Sequence, residues 1–358
     1  MQFAGGLTAS TVSFQPLVMT QFNSPDPQLD AFLVEHELAH KDEAAAWHPL
    51  TGGVSSDIWR VDVAAGSLCV KRALSTLKVS ASWQAPVSRN ADEWAWMQFA
   101  ARHRPDNVPV PLAHDARLGV FAMSFLAPSA HPVWKQQLLH GEVEADTARA
   151  VGRLVGHLHA VSADDAELRD RFDTLDNFQA LRLDPYLIAT SQHHPKLESK
   201  LRYLAGRTAS IRTALVHGDV SPKNILVGPR GPVLLDAECA WFGDPAFDLA
   251  FCLNHLLLKC LARPDRREAL IASFKALTEA YFDEADWELR AALEARTAEL
   301  LPALLLARVD GKSPVEYLTD DAQRDHVRAV ATRLLLQPVE YLYQVAQAWL
   351  DEIESRQS

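Results

Sequence analysis

The densest run of polar side chains set between apolar ones is Val216-His217-Gly218-Asp219-Val220-Ser221-Pro222-Lys223-Asn224-Ile225, and Leu234-Leu235-Asp236-Ala237-Glu238 follows it closely. Two apolar runs, Ile225 to Val227 and Val233 to Leu235, flank a Gly-Pro-Arg-Gly-Pro turn and predict a hairpin. A hairpin brings its own ends together. Asp219 and Asn224, 5 positions apart on the loop before the first strand, are therefore expected beside Asp236, which closes the second strand 17 positions after Asp219. A hard cation such as Mg²⁺ takes a few oxygen ligands and leaves room for phosphates. Phosphoryl transfer requires such a cation and one further carboxylate near an attacking hydroxyl. Either aspartate alone would be explained as a turn or strand-end residue; the ordered set of three points to chemistry.

A second group lies upstream. Gly52-Gly53-Val54-Ser55-Ser56 offers backbone N–H groups and small side chains that permit close approach to phosphate. Lys71 follows inside the apolar strand Leu68-Cys69-Val70-Lys71, where an ammonium needs a negative partner unless it snorkels from a sheet edge. Glu93 on the next helix is the expected carboxylate, with Asp92 as the alternative because the helix register is not fixed by one sequence.

These residues need elements to carry them. A leading helix is predicted over 28–40, a hairpin over 58–73 turning at Ala65-Gly66, a helix over 91–103, and a strand in GVFAMSFL ending near Leu126. Beyond Pro128 and Pro132 the pattern becomes helical. Val151, Leu154, Val155 and Leu158 share one face, and the 216–238 hairpin is the only strong β signal of the second half. Three segments follow: a loosely held extension over 1–27, a β-rich lobe over 28–127 and a helical lobe over 128–358, an α+β organisation. The chain has 358 residues, a formal charge of −11 and no long basic run, which excludes a nucleic-acid partner. Hydrophobic residues at 48% and charged residues at 23% fit a globular chain. No apolar run is long enough for a membrane span, and four cysteines without a CxxC pair suit a reducing, cytoplasmic setting.

The His-Gly-Asp loop with Asn four intervening residues later and an Asp on the next strand resembles that of the aminoglycoside phosphotransferase and choline kinase superfamily, which shares the two-lobed protein-kinase fold. The resemblance runs from about Leu50 to Asp248, with glycine-rich loop, strand lysine, helix glutamate and aspartate hairpin in the family's order. It implies an ATP- and Mg²⁺-dependent kinase of a small-molecule hydroxyl. Asp219 would position the acceptor hydroxyl and accept its proton, Asn224 and Asp236 would hold Mg²⁺, and Lys71 would meet the α- and β-phosphates. It further implies an adenine pocket around Met123, Phe125 and Leu126, a bracing role for His217, loop support from Asp248, and Glu238 as a weaker metal-side candidate. Asp244, before Pro245, is expected to start a helix.

Ser221 stands where many protein kinases carry lysine, and Asp236-Ala237-Glu238 replaces Asp-Phe-Gly, so a small acceptor is favoured over a protein. Acceptor contacts are sought among Trp134, Trp241, Asn254, His255, Lys259, Arg308, Asp310 and Lys312. The segment Leu306 to Lys312 resembles an arginine-bearing helix end of methylthioribose kinases, which would suit a sugar-like acceptor. A catalytically silent nucleotide-binding regulator of the same fold is the alternative, although such proteins usually lose one of the four positions filled here by Lys71, Asp219, Asn224 and Asp236.

Overall fold

The computed structural model describes residues 25–50, 55–74 and 86–355. Helix α1 (Pro27–Glu35) starts with Asp26 accepting from the Gln28 N–H at 3.0 Å and a proline in its first turn. Strands β1 (Ala46–Pro49), β2 (Ser56–Val63) and β3 (Gly66–Ala73) follow, then α2 (Arg89–His103), β4 (Pro111–Asp115) and β5 (Val120–Ser124). The five strands form one antiparallel sheet in the order β1-β2-β3-β5-β4, with Lys71 of β3 opposite Ile58 of β2 and Phe121 of β5. Successive side chains leave a strand on opposite faces. One face packs Leu68, Val70, Trp59, Val61, Val120 and Ala122 against Leu29, Phe32 and Leu33 of α1. The other carries Lys71 toward α2, whose Trp96, Met97 and Phe99 join Phe121 in the main core.

Residues 125–133 lead into the helical lobe, where α3 (Trp134–His140), α4 (Ala145–Ser162), α5 (Ala166–Arg171) and α6 (Leu175–Phe178) come first. A π-helical segment, Gln179–Ile188, contains Pro185, and α7 (Ala189–His193) and α8 (Glu198–Ser210) continue from it. A proline cannot supply the helical N–H, and widened π turns accommodate that loss. Three pairs of elements then build the site: β6 (Ala214–Val216) with β9 (Trp241–Gly243), β7 (Ile225–Gly228) with β8 (Gly231–Leu234), and α9 (Ala246–Ala262) with α10 (Arg267–Glu284). The chain closes with α11 (Arg290–Asp310), α12 (Asp321–Leu336) and α13 (Leu342–Ser355). Helix α9 is buried at every position from Ala246 to Cys260, so it is the axle of this lobe.

The structure departs from the sequence reading in several places. The leading helix stops at Glu35 rather than residue 40, because the chain reverses through Glu37 at φ +58°. Strands β1 and β4 contain or abut prolines and lack a long alternating pattern, and both were absent from the expected elements. The second half holds two short sheets, not one hairpin alone: β6 and β9 are three residues each and pair across the whole loop. Strand β8 ends at Leu234, so Asp236 sits two residues beyond the strand it was expected to close. Strand β5 likewise ends at Ser124, before Phe125 and Leu126.

Candidate active site

The loop between β6 and β7 is held from behind. The Asp248 carboxylate, fully buried on α9, accepts from the backbone N–H groups of His217 at 2.7 Å and Gly218 at 2.8 Å, and lies 3.2 Å from His159 Nε2 of α4. His159 Nδ1 meets the Tyr281 hydroxyl at 2.9 Å. His217 turns its Nδ1 to the Asp219 N–H at 3.1 Å and its Nε2 to the Leu235 carbonyl at 3.1 Å, with its ring edge-on to Trp96. Burial lowers its basicity, so the neutral imidazole donates through Nε2 and accepts through Nδ1. Gly218 is required at φ +79°, where a Cβ would come within 2.6 Å of the Cys239 carbonyl oxygen. Gly218→Ala should therefore lower the unfolding free energy by about 2–4 kcal/mol, checked by urea denaturation.

Asp219 is buried at 2% exposure, yet its charge is well supported. Its Oδ2 meets Arg182 Nη2 at 2.7 Å and Lys223 Nζ at 3.1 Å, while its Oδ1 has no hydrogen-bond partner among the described residues. Burial opposes ionisation, but the two cations outweigh it and hold this carboxyl below the usual carboxylate range. Asn224, on the same loop, donates from Nδ2 to the Asp219 carbonyl at 3.2 Å, and its own carbonyl accepts from the Leu235 N–H at 2.9 Å. That second bond ties the loop to the strand leading into Asp236.

Asp236 stands at φ +69°, a left-handed conformation uncommon for any residue other than glycine, asparagine or aspartate. Its Oδ1 pairs with Lys71 Nζ, which also bonds Glu93 at 2.7 Å. Burial works against the Lys71 charge, and the Asp236 and Glu93 carboxylates outweigh it, so the ammonium is retained. For Asp236 burial is likewise overcome, chiefly by Lys71 and then Lys223, and its pKa falls. The partner of Lys71 on α2 is thus Glu93; Asp92 instead pairs with Arg171 at 3.1 Å. Glu238 makes no ion pair with Lys71 and instead binds Arg89 Nε at 3.0 Å.

Two residues that the sequence reading missed complete the arrangement. Arg182 comes from the π-helical segment and also donates to the Gly218 carbonyl at 2.5 Å; no motif announced it, because Pro185 suggests that a helix ends there. Arg89 opens α2 and donates to the carbonyls of Ser55 at 2.5 Å, Leu74 at 2.6 Å and Pro86 at 2.7 Å, besides Glu238. It joins the flank of the glycine loop to the Asp236–Glu238 segment. Removing one partner of a buried ion pair leaves the other charge uncompensated. Arg89→Ala should accordingly cost about 3–5 kcal/mol of stability, seen as a lowered denaturation midpoint.

Among the other expected site residues, Gly52, Gly53 and Val54 lie outside the described residues, as do residues 1–24 of the expected extension. Ser55 and Ser56 are buried at the start of β2. Met123 lines a small recess with Glu93, Met97, Pro109, Leu235 and Asp236, whereas Phe125 lies under the Arg60 guanidinium and Leu126 lines a separate hollow with His131 and Val233. Asp244 accepts from the Ala246 N–H at 3.1 Å and pairs with Arg296 at 3.2 Å. Of the acceptor candidates, Trp134 and Trp241 are packed into the core. Asn254 bonds its own helix, and Asp310 pairs with Arg328 and His194, so these do not face Asp219. Lys312 is exposed, with its N–H on the Pro185 carbonyl at 2.9 Å. His255, Lys259 and Arg308 cluster together, beside the Arg182 side of the loop.

A family model described as "Phosphotransferase enzyme family" matches residues 46–293. Methylthioribose kinases of Bacillus mycoides and Bacillus cereus are each 25% identical to this chain over 276 residues, covering 70% of this chain and 70% of theirs. Among solved structures, an amicoumacin kinase in complex with AMP-PNP and Ca²⁺ superposes with a TM-score of 0.54 at 13% identity, over 84% of this chain and 91% of that one. An ethanolamine kinase of Plasmodium vivax superposes with a TM-score of 0.51 at 10% identity, over 95% of this chain and 91% of the other. Identities this low speak for the shared fold alone, a small antiparallel sheet against a mostly helical lobe.

Proposed function

The chain belongs to the phosphotransferase enzyme family: it is an ATP-dependent kinase of a hydroxyl group on a small molecule, and we propose how its residues divide that work. The observation that carries the assignment is the convergence of Lys71, Asp219, Asn224 and Asp236 where the sheet meets the helical lobe. Lys71, steadied by Glu93, is assigned to the α- and β-phosphates. The Gly52-to-Ser56 segment is assigned to the phosphates, and Met123, Phe125 and Leu126, of which Met123 alone lines the recess beside Asp236, to the base. Lobe limits of 28–127 and 128–358 are part of the same proposal.

Asp219 is assigned to the acceptor. Its buried Oδ1, without a hydrogen-bond partner among the described residues, is the atom left to accept the acceptor hydroxyl's hydrogen bond, while Arg182 and Lys223 hold its Oδ2. A carboxylate kept this acidic is a weak base and a strong positioner, which suits a loose transfer in which proton removal comes late. The acceptor oxygen forms a bond to the γ-phosphorus, the bond from that phosphorus to the β–γ bridging oxygen breaks, ADP leaves, and the hydroxyl proton passes to Asp219.

Asn224 and Asp236 offer oxygen donors only, the set a hard cation prefers. One or two carboxylates together with substrate phosphates are the set by which Mg²⁺ is usually held. Bound between those two side chains and the phosphates, Mg²⁺ would neutralise charge on the transferring group. His217 and Asp248 keep the loop in place, and Glu238 acts through Arg89. A cytoplasmic setting is supported by four buried, unpaired cysteines. No helix among the described residues is long and apolar enough to cross a membrane.

The test is stabilisation by ATP with Mg²⁺ in thermal melting, followed by a coupled ADP-release assay over panels of alcohols. Stabilisation with acceptor-dependent ADP release supports the kinase. Stabilisation without turnover of any acceptor, and without slow ATP hydrolysis, would favour a silent nucleotide-binding regulator.

A further inference from the structure

A basic, aromatic cluster, largely buried, extends from Asp219 into the helical lobe. Phe251, His255 and Lys259 fall at every fourth position of α9 and so share one face of it. The Arg182 guanidinium, which holds Asp219, lies 5.9 Å from the Phe251 ring and 6.0 Å from the Tyr186 ring. Arg308, at the end of α11, donates to the Tyr186 hydroxyl at 3.0 Å and to the Ser313 hydroxyl at 3.0 Å. Lys259 Nζ sits 4.8 Å from the Tyr317 ring, and the Tyr317 hydroxyl is 3.4 Å from His255 Nδ1. These contacts run in sequence from Arg182 through Phe251, His255 and Tyr317 to Lys259, and through Tyr186 to Arg308.

The charges do not balance. Arg182 and Lys223 are matched to Asp219, and Lys135 to Glu316. Arg308 has only neutral acceptors, and its Nε has none among the described residues. Lys259, with 0% exposure, has no hydrogen-bond acceptor for its Nζ among the described residues. An isolated buried ammonium is costly unless a negative group meets it. Burial, and after it the Lys135 ammonium, lower the Lys259 pKa to about 7, and the nearby Glu316 carboxylate, already matched to Lys135, does not offset them. A pocket for a cationic amine would be expected to show the reverse, an excess of carboxylates.

We infer that the acceptor is an anionic alcohol, a sugar-sized molecule whose hydroxyl meets Asp219 and whose carboxylate or phosphate is bound by Arg308 and Lys259. The span follows from helix geometry: Lys259 is two further turns along α9 from Phe251, about 12 Å at 1.5 Å per residue. This inference rests on the kinase assignment and adds the charge class of its substrate.

The experiment compares acceptors of similar size and different charge in the ADP-release assay, with the full chain, ATP and Mg²⁺. Sugar acids such as gluconate and sugar phosphates form the anionic arms, sorbitol and methylthioribose the neutral arm, and glucosamine and kanamycin the cationic arm. Acceptor-dependent turnover is expected in an anionic arm alone, and the arm that responds tells carboxylate from phosphate. Lys259→Met should raise the KM for that acceptor at least tenfold while leaving the KM for ATP within twofold. Best turnover of a neutral or cationic acceptor, or of none in the anionic arms, would overturn the inference, as would an unchanged acceptor KM in Lys259→Met. Failure of the kinase assignment shows itself separately, as absence of thermal stabilisation by ATP with Mg²⁺.

Discussion

Replacing Asp219 by Asn should cut turnover by about 10²–10⁴, or roughly 3–5 kcal/mol of barrier, with the KM for ATP little changed. The amide keeps the shape of the carboxylate and loses its charge, so what disappears is the oriented, negative acceptor for the substrate hydroxyl. Arg182 and Lys223 then lose their common partner, and the folded chain should melt at a lower temperature because a buried guanidinium is left uncompensated. Kinetics must therefore be read well below the melting transition. A loss of tenfold or less there would remove Asp219 from the centre of the reaction.

Asp236→Asn should be at least as damaging to turnover, and it should act differently. Asn tolerates the left-handed backbone that Asp236 adopts, whereas Ala would add about 1–2 kcal/mol of strain, so the amide isolates the charge from the fold. Without that carboxylate, Lys71 keeps Glu93 at 2.7 Å and the lobe contact persists in part. Divalent-dependent nucleotide binding, followed by calorimetry with and without Mg²⁺, should lose its metal requirement together with its productive affinity. Full retention of Mg²⁺-dependent binding in Asp236→Asn would place the metal elsewhere.

The contrast between these aspartates and their supports explains what the sequence disclosed. Asp219, Asn224 and Asp236 lie within 18 consecutive positions whose turn and strand signals are local, so their convergence was legible from spacing. Lys71 declared itself as a charge inside an apolar strand, but the choice of Glu93 over Asp92 needed the helix register that the structure supplies. Arg182, Arg89 and His159 were not legible. Each reaches the site from a separate element, and an arginine or histidine in a helical pattern looks like a surface residue until the tertiary fold buries it. The π-helical segment carries Arg182 past a proline that normally ends a helix, so the local rule failed at the position the site needs.

The missed strands have the same origin. Strands β6 and β9 are held by partners 25 or more residues away and carry no alternation of their own, since both are buried throughout. Among the acceptor candidates, Lys259 and Arg308 gain meaning only from their surroundings, where neither finds a carboxylate hydrogen-bond partner among the described residues, a fact that no motif records.

A crystal structure of the full chain with AMP-PNP and Mg²⁺ would decide the matter. It should show Lys71 on the α- and β-phosphates, Asn224 and Asp236 on the metal, and Asp219 Oδ1 open beside the γ-phosphate. A nucleotide bound away from Lys71, or a metal held without Asp236, would contradict the assignment.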